Sequence, residues 1–305
     1  MRKVLIFWGS AIILAVLAIN AAAQTRSITV VTEPKSRVWI DGILFGRTGA
    51  DGRLEIRSIA AGAHQLKIRS DGSKEKVQIL PAAAKGDIAV TLAKTDDPAE
   101  LAFQDAERLG SLDREKQIAA YKKAIKLRPA YFDAYIGLAR AQTEDGDTEA
   151  AQQTISKLKR LRPGIAEASA VEGRIWKESG DETKAIATFK RSIAEGKGIQ
   201  AEANTGLGLL YKDRAESAAG SGDTDNEKAN YTEAAKYLKI ALKQLSGAPD
   251  ALVIYQLLGL VYERMDQKAE AIAVYNEFLK LFPDAPEASA VRSFIVQLEK
   301  GPTIP

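Results

Sequence analysis

The sequence predicts two parts, a small antiparallel β-sandwich followed by an all-α solenoid of paired helices. Two observations carry this. Apolar residues alternate with a period of two from Ser27 to about Lys94, the pattern of half-buried strands. From Pro98 onward amphipathic helices end at prolines, and Pro129 and Pro163 stand 34 residues apart.

Ahead of both parts the chain begins "MRKVLIFWGSAIILAVLAINAAAQ". Arg2 and Lys3 form a basic start, Val4 to Ile19 an apolar core, and Ala21-Ala22-Ala23 a small-residue end. That is the layout of a secretory signal peptide over residues 1–23, cut after Ala23. The rival is an uncleaved anchor, for which the run is short. No cysteine follows to take a lipid, and no later stretch is apolar enough to span a bilayer. The expected location is outside the cytoplasm, in the periplasm or cell envelope or secreted.

The 305 residues are 46% hydrophobic and 27% charged, enough for a sizeable core or two modest domains. Absent cysteine excludes disulfides, thiolate zinc sites and thiol nucleophiles. A single histidine, His64, excludes a multi-histidine metal site. Without Arg2 and Lys3 the chain holds 41 basic residues against 40 acidic ones. No basic run points to nucleic acid.

The strands of the first domain, residues 27–94, are "SITVVT", "SRVWID", "GRLEIRS", "AHQLKIRS", "KEKVQIL" and "DIAVTL". They are short, rich in β-branched residues and separated by Gly, Pro or Asp. Asp41-Gly42 supplies a tight hairpin turn, since glycine tolerates positive φ. Further turns are expected at Asp51-Gly52 and Asp71-Gly72. His64 lies in register with Leu66 and Ile68, with no nucleophile or second ligand near it, and is read as structural. Trp39 is read as a core or half-buried aromatic, with a sugar-stacking platform as the alternative.

This segment resembles a PEGA domain. The residues that carry the likeness are Pro34, Val38-Trp39-Ile40-Asp41-Gly42, Gly46 with Thr48, Gly62 before "HQLKI", and the Gly72 turn. Arg37 stands where a small residue is usual, and Gly49 where proline often follows the threonine. The resemblance implies a small β module of exported bacterial proteins, without a common catalytic activity, suited to envelope or carbohydrate contact.

Beyond a short linker near "AKTDDPAE", the stretches "EDGDTEAAQQTI" and "ESGDETKAIATF" are also 34 residues apart. In each, glycine closes one helix, aspartate caps the next, and an alanine packs inward. Gly146 pairs with Gly180, Ala151 with Ala185, and Ile155 with Phe189. The clearest copy is "YQLLGLVYERMDQKAEAIAVYNEFLKLFP", with Tyr255, Leu258, Gly259 and Tyr262 on one helix and Ala271, Tyr275 and Phe278 on the next. This period resembles the tetratricopeptide repeat. Five copies are expected, at 98–131, 132–165, 166–200, 201–251 and 252–285. The fourth carries an insertion of about 14 residues in which "AAGSGDTDN" reads as a mobile loop. Residues 286–300 form a further amphipathic helix that covers the last apolar face.

Little catalytic chemistry is legible, and an enzyme is not expected. "GSGDTDNEKAN" departs from a calcium loop at Lys228, where glycine belongs, and lacks the closing glutamate. No phosphate loop or nucleophile elbow appears. No cofactor, metal or catalytic residue is assigned. The tetratricopeptide resemblance implies that the first helix of each repeat lines a concave groove and that its fifth, ninth and twelfth positions face a protein or peptide ligand. Those positions nominate Arg140, Arg174, Lys177 and Lys212 as cations, and the apolar groove contacts are read as Ile136, Leu209, Val253 and Leu260. Asp133, Glu167 and Glu202 recur at the second position and are placed to pair with the cations. The expected function is an exported, non-enzymatic protein-binding adaptor, with cell-wall or glycan binding through the β domain as the alternative.

Overall fold

A computed structural model describes residues 26–245 and 247–300. The expected signal peptide, residues 1–23, lies outside the described residues. Seven strands come first: β1 (Arg26–Val31), β2 (Arg37–Ile40), β3 (Ile43–Arg47), β4 (Arg53–Ile59), β5 (His64–Arg69), β6 (Lys76–Leu80) and β7 (Gly86–Ala89). They form a three-stranded sheet, β4-β1-β7, and a four-stranded sheet, β3-β2-β5-β6. Alternate residues from the two sheets, among them Ile28, Val30, Val38, Ile40, Ile56, Leu66 and Ile68, share one buried core.

The purely antiparallel expectation needs correcting, because β1 and β7 run parallel, with Thr29 opposite Asp87. A period of two says which residues share a face, not the direction of a neighbour several strands away. "ILFGR" forms the return strand of the first hairpin. Its turn has positive φ at both central residues, 51° at Asp41 and 81° at Gly42, which matches the twist of the strands it joins.

The helices follow in pairs: α1 (Pro98–Leu109) with α2 (Arg114–Leu127), α3 (Phe132–Glu144) with α4 (Thr148–Leu161), and α5 (Ala166–Glu178) with α6 (Glu182–Glu195). Then come α7 (Ala201–Ser221) with α8 (Thr224–Leu245), α9 (Ala251–Arg264) with α10 (Lys268–Leu281), and a last helix α11 (Ala288–Lys300). Asp147 accepts from the Ala150 N–H and Asp181 from the Lys184 N–H, at 2.9 and 3.0 Å. Each aspartate satisfies an amide that the first helical turn leaves unpaired.

Small residues let these helices approach closely. A Cβ on Gly259 would lie 2.2 Å from Tyr275 Cε1, and one on Gly173 2.6 Å from Phe189 Cδ1. Val291 and Ile295 of α11 are buried in the same cluster as Tyr275 and Phe278, so α11 closes the apolar end.

One further expectation changes. The insertion in the fourth copy is not a loop. It lengthens α7 to 21 residues and α8 to 22, against 13 and 14 for α5 and α6. Its alanines favour helix, and the small polar residues concentrate at the tip, where Gly222 takes the left-handed conformation that ends α7. The linker is also tied down. Lys74 N–H donates to Ala93 O at 2.7 Å, Thr95 N–H to Gly72 O at 3.0 Å, and Asp97 caps α1.

Candidate partner-binding groove

The β domain meets the helical array at its start. Arg69 closes β5 with its side chain 4% exposed. It reaches Glu107 of α1 at 2.8 Å and Asp133 of α3 at 3.1 Å. Arg37 of β2 approaches the other Glu107 oxygen at 2.7 Å. The Arg69 guanidinium also lies 4.5 Å from the centre of the Phe103 ring. Gln104 completes the junction, accepting from the Gly72 N–H and donating to Ser73 O. At the other end Gly247, between α8 and α9, approaches β4, since a Cβ there would sit 3.6 Å from Ser58 Cβ.

Between the β2–β5 face and the first inner helices lies a cleft of about 240 Å³, bordered by Trp39, Lys67, Phe103, Tyr121, Gly137 and Arg140. Trp39 is half-buried, with Lys67 Nζ 4.9 Å and the Arg69 guanidinium 5.2 Å from its ring centre. His64 is structural in its contacts. Its ring nitrogens lie 2.6 Å from Asp41 Oδ2 and 2.9 Å from Ala60 O, pinning the hairpin turn.

The nominated cations are not a line of free charges. Arg140 pairs with Glu167 at 3.0 Å and Glu202 at 2.6 Å. Burial alone would lower its pKa, but the carboxylates, Glu202 foremost, outweigh it and hold the guanidinium above its ordinary value. Arg174 reaches Glu144 at 3.2 Å, and Glu144 also takes Arg114 at 2.7 Å. Lys212 pairs within its own helix with Glu216 at 2.7 Å and with Asp213 at 3.2 Å. Burial opposes its charge, yet Glu216 and Asp213 raise its pKa. Lys177 is half-buried and borders a separate polar cavity of about 600 Å³ under the long α7–α8 hairpin, with Arg214 and Asp223.

The apolar nominees divide. Ile136 is buried, packed among Tyr135, Ala139 and Val171, and it also lines the cleft beside Gly137. The resemblance gave its position in the repeat but not how deeply the neighbouring helix covers it. Leu209 is half-buried. Val253 and Leu260 are 58% and 36% exposed. Seven residues apart on α9, they share one face two turns apart. Sequence reasoning missed Arg69 and Glu107. The one available signal was Arg37, a charge where the resembled family places a small residue.

The helical region carries tetratricopeptide repeats: residues 118–175 and 255–285 each match a tetratricopeptide-repeat family profile. Neither match reaches the β domain. No curated protein matches the chain. Among solved structures, yeast Tom70 is similar with TM-score 0.54 and 18% identity, over 67% of this chain and 40% of that one. An IFIT1 monomeric mutant with Gppp-AAAA is similar with TM-score 0.51 and 14% identity, over 65% and 44%. At these identities the likeness concerns the fold alone. A thermophilic TPR protein in Thermus thermophilus aligns over 65% of this chain and all of its own, with TM-score 0.49 and 19% identity. Tetratricopeptide proteins are generally protein-interaction scaffolds. No helix among the described residues is long and apolar enough to cross a membrane.

Proposed function

We propose that this chain is an exported, non-enzymatic adaptor that holds a protein partner against the inner face of its C-terminal repeats, centred on Leu209, Val253 and Leu260. One observation carries the reading. The N-terminal part of the array uses its charges internally, as Arg140 between Glu167 and Glu202 shows, while α9 leaves two large apolar side chains exposed. Burying a Val or Leu fully contributes about 1.5–3 kcal/mol, so this pair offers more free energy than cations that must first leave their carboxylates. The β domain is read as a PEGA-like module and residues 1–23 as a cleaved signal. The glycan alternative would rest on Trp39, whose ring already carries Lys67 and Arg69, and protein contact is therefore preferred.

The experiment places a photo-crosslinking residue at position 253 or 260, with an outer-face control at Lys157, in cells producing the full chain. The expected result is one discrete protein adduct from 253 and 260 that is missing at 157. It should be lost when the other apolar residue becomes serine. Equal adducts from all three positions, or none, would overturn the reading. Intact mass of the secreted product beginning at Gln24 tests export separately.

A further inference from the structure

Helices α2 and α4 end alike. Lys123 and Lys157 stand 34 residues apart, as do Lys126 and Arg160, and Leu127 and Leu161. Stacked repeats keep equal positions on one side of the array, so these residues share the side formed by α2 and α4. The two leucines are 49% and 50% exposed. Leu281, which likewise stands two residues before a helix-ending proline, is half-buried against the core. The position can thus be covered, and at 127 and 161 no described residue covers it.

The charges around these leucines are of one sign. Lys122, Lys123, Lys126, Lys157 and Arg160 are exposed, and among the described residues none of them has a carboxylate partner. Lys157 has the Tyr135 ring, 5.6 Å away. The acids within the two helices, Glu115 and Glu149, lie in their first turns, at the far ends. Between α2 and α4 opens a groove of about 680 Å³, bordered by Lys122, Lys126 and Lys157. Tyr135, Leu138 and Leu161 are among its apolar lining, and no carboxylate lines it. Cations near a helix C-terminus suit its dipole, but the dipole does not call for exposed leucines beside them. Apolar side chains ringed by unpaired lysines fit a surface that lies on anionic lipid. Lysine heads are compact charges on flexible stems, which suits a fluid layer of headgroups better than one fixed carboxylate.

We propose that this side of the first two repeats docks on an anionic lipid bilayer. Leu127 and Leu161 enter the headgroup boundary, and the lysines hold lipid phosphates. No part of the surface belongs to α9, so the two readings stand or fall separately.

For the test the chain is produced from Gln24, which keeps every described residue and removes the apolar start. It is sedimented with phosphatidylcholine vesicles, with and without an equal part of phosphatidylglycerol, and should prefer the anionic ones. Lys122→Gln/Lys126→Gln/Lys157→Gln should bind these at least about tenfold more weakly and with less salt dependence. Leu127→Ser/Leu161→Ser should also bind about tenfold more weakly but keep the parent's salt dependence. Lys85→Gln/Lys228→Gln/Lys300→Gln removes the same charge from exposed lysines elsewhere and should bind like the parent. Circular dichroism should be unchanged throughout. Equal weakening in the two lysine variants would overturn the proposal, since net charge alone would then attract the chain. Unchanged binding in the leucine variant, or no preference for anionic vesicles, would overturn it as well. So would a protein adduct from position 157 in cells, because the occupant would then be a protein.

Discussion

Arg69 Nη1 lies 2.8 Å from Glu107 Oε1, and this pair joins the β domain to the first helix of the repeats. Both side chains are largely out of water, 4% and 12% exposed. A buried pair of this kind adds little net stability against an apolar alternative, but removing one partner strands the other's charge. The β domain is thus held in place by electrostatics that the repeat pattern does not require.

Arg69→Ala should therefore lower stability by about 3–5 kcal/mol, although Arg37 still faces Glu107. The double variant with Glu107→Gln should lose less than the sum of the two single variants, because their shared contact is lost only once. Denaturant unfolding of the two single variants and the double variant measures the coupling. Strictly additive effects would show that the pair is not a unit. Faster cleavage between residues 94 and 97 in Arg69→Ala should accompany the loss.

Gly259→Ala should destabilise the last repeat. The added methyl would stand 2.2 Å from the Tyr275 ring, and overpacking of this kind costs about 1–3 kcal/mol or more. Gly220→Ala is the control, since nothing lies within 4 Å of its Cβ site. Thermal unfolding should separate the two variants clearly, and equal melting temperatures would contradict the packing.

Arg140→Ala leaves Glu167 and Glu202 without their shared cation. All three side chains are about a third or more exposed, so water and salt screen the pair, and the expected loss is about 0–1 kcal/mol. Adding Glu202→Gln should reduce that loss further. Partner crosslinking from position 260 should persist in Arg140→Ala. Its disappearance would return Arg140 to the role of anchor.

Asp181 supports a pH test. Hydrogen bonds from the Lys184 ammonium and then from the Lys184 backbone N–H lower its pKa below the ordinary 3.8. A lowered folded pKa means that the stabilisation is present above the unfolded value and fades as pH falls through the folded one. Asp181→Asn keeps a good cap but cannot titrate. The melting temperature of the parent should exceed that of the variant at pH 6, with the gap shrinking below about pH 4. A gap that widens in acid would reverse the assignment.

Much of the fold could be read because its determinants are local. Asp147 and Asp181 announce their caps within three residues of the amides they satisfy. The Asp41-Gly42 turn needs only two residues that tolerate positive φ. The insertion was misread because "AAGSGDTDN" combines helix-favouring alanines with turn residues, and composition does not say where along a hairpin the turn falls. Of the candidate site, Val253 and Leu260 emerge at the surface, but Ile136 does not, since position in a repeat fixes a helix face and not its coverage.

The sequence by itself determined the two-part plan, the 34-residue rhythm, the caps and the hairpin turn. Each depends on residues a few positions apart, whose geometry the backbone dictates directly. Only the tertiary structure decided that β7 lies parallel to β1, that Arg69 meets Glu107, and which of the anticipated carboxylates Arg140 meets, Glu202 from 62 residues away among them. Those partners are chosen by how the array curves and where the sheet docks, sums of many small packing angles that no short stretch of residues encodes.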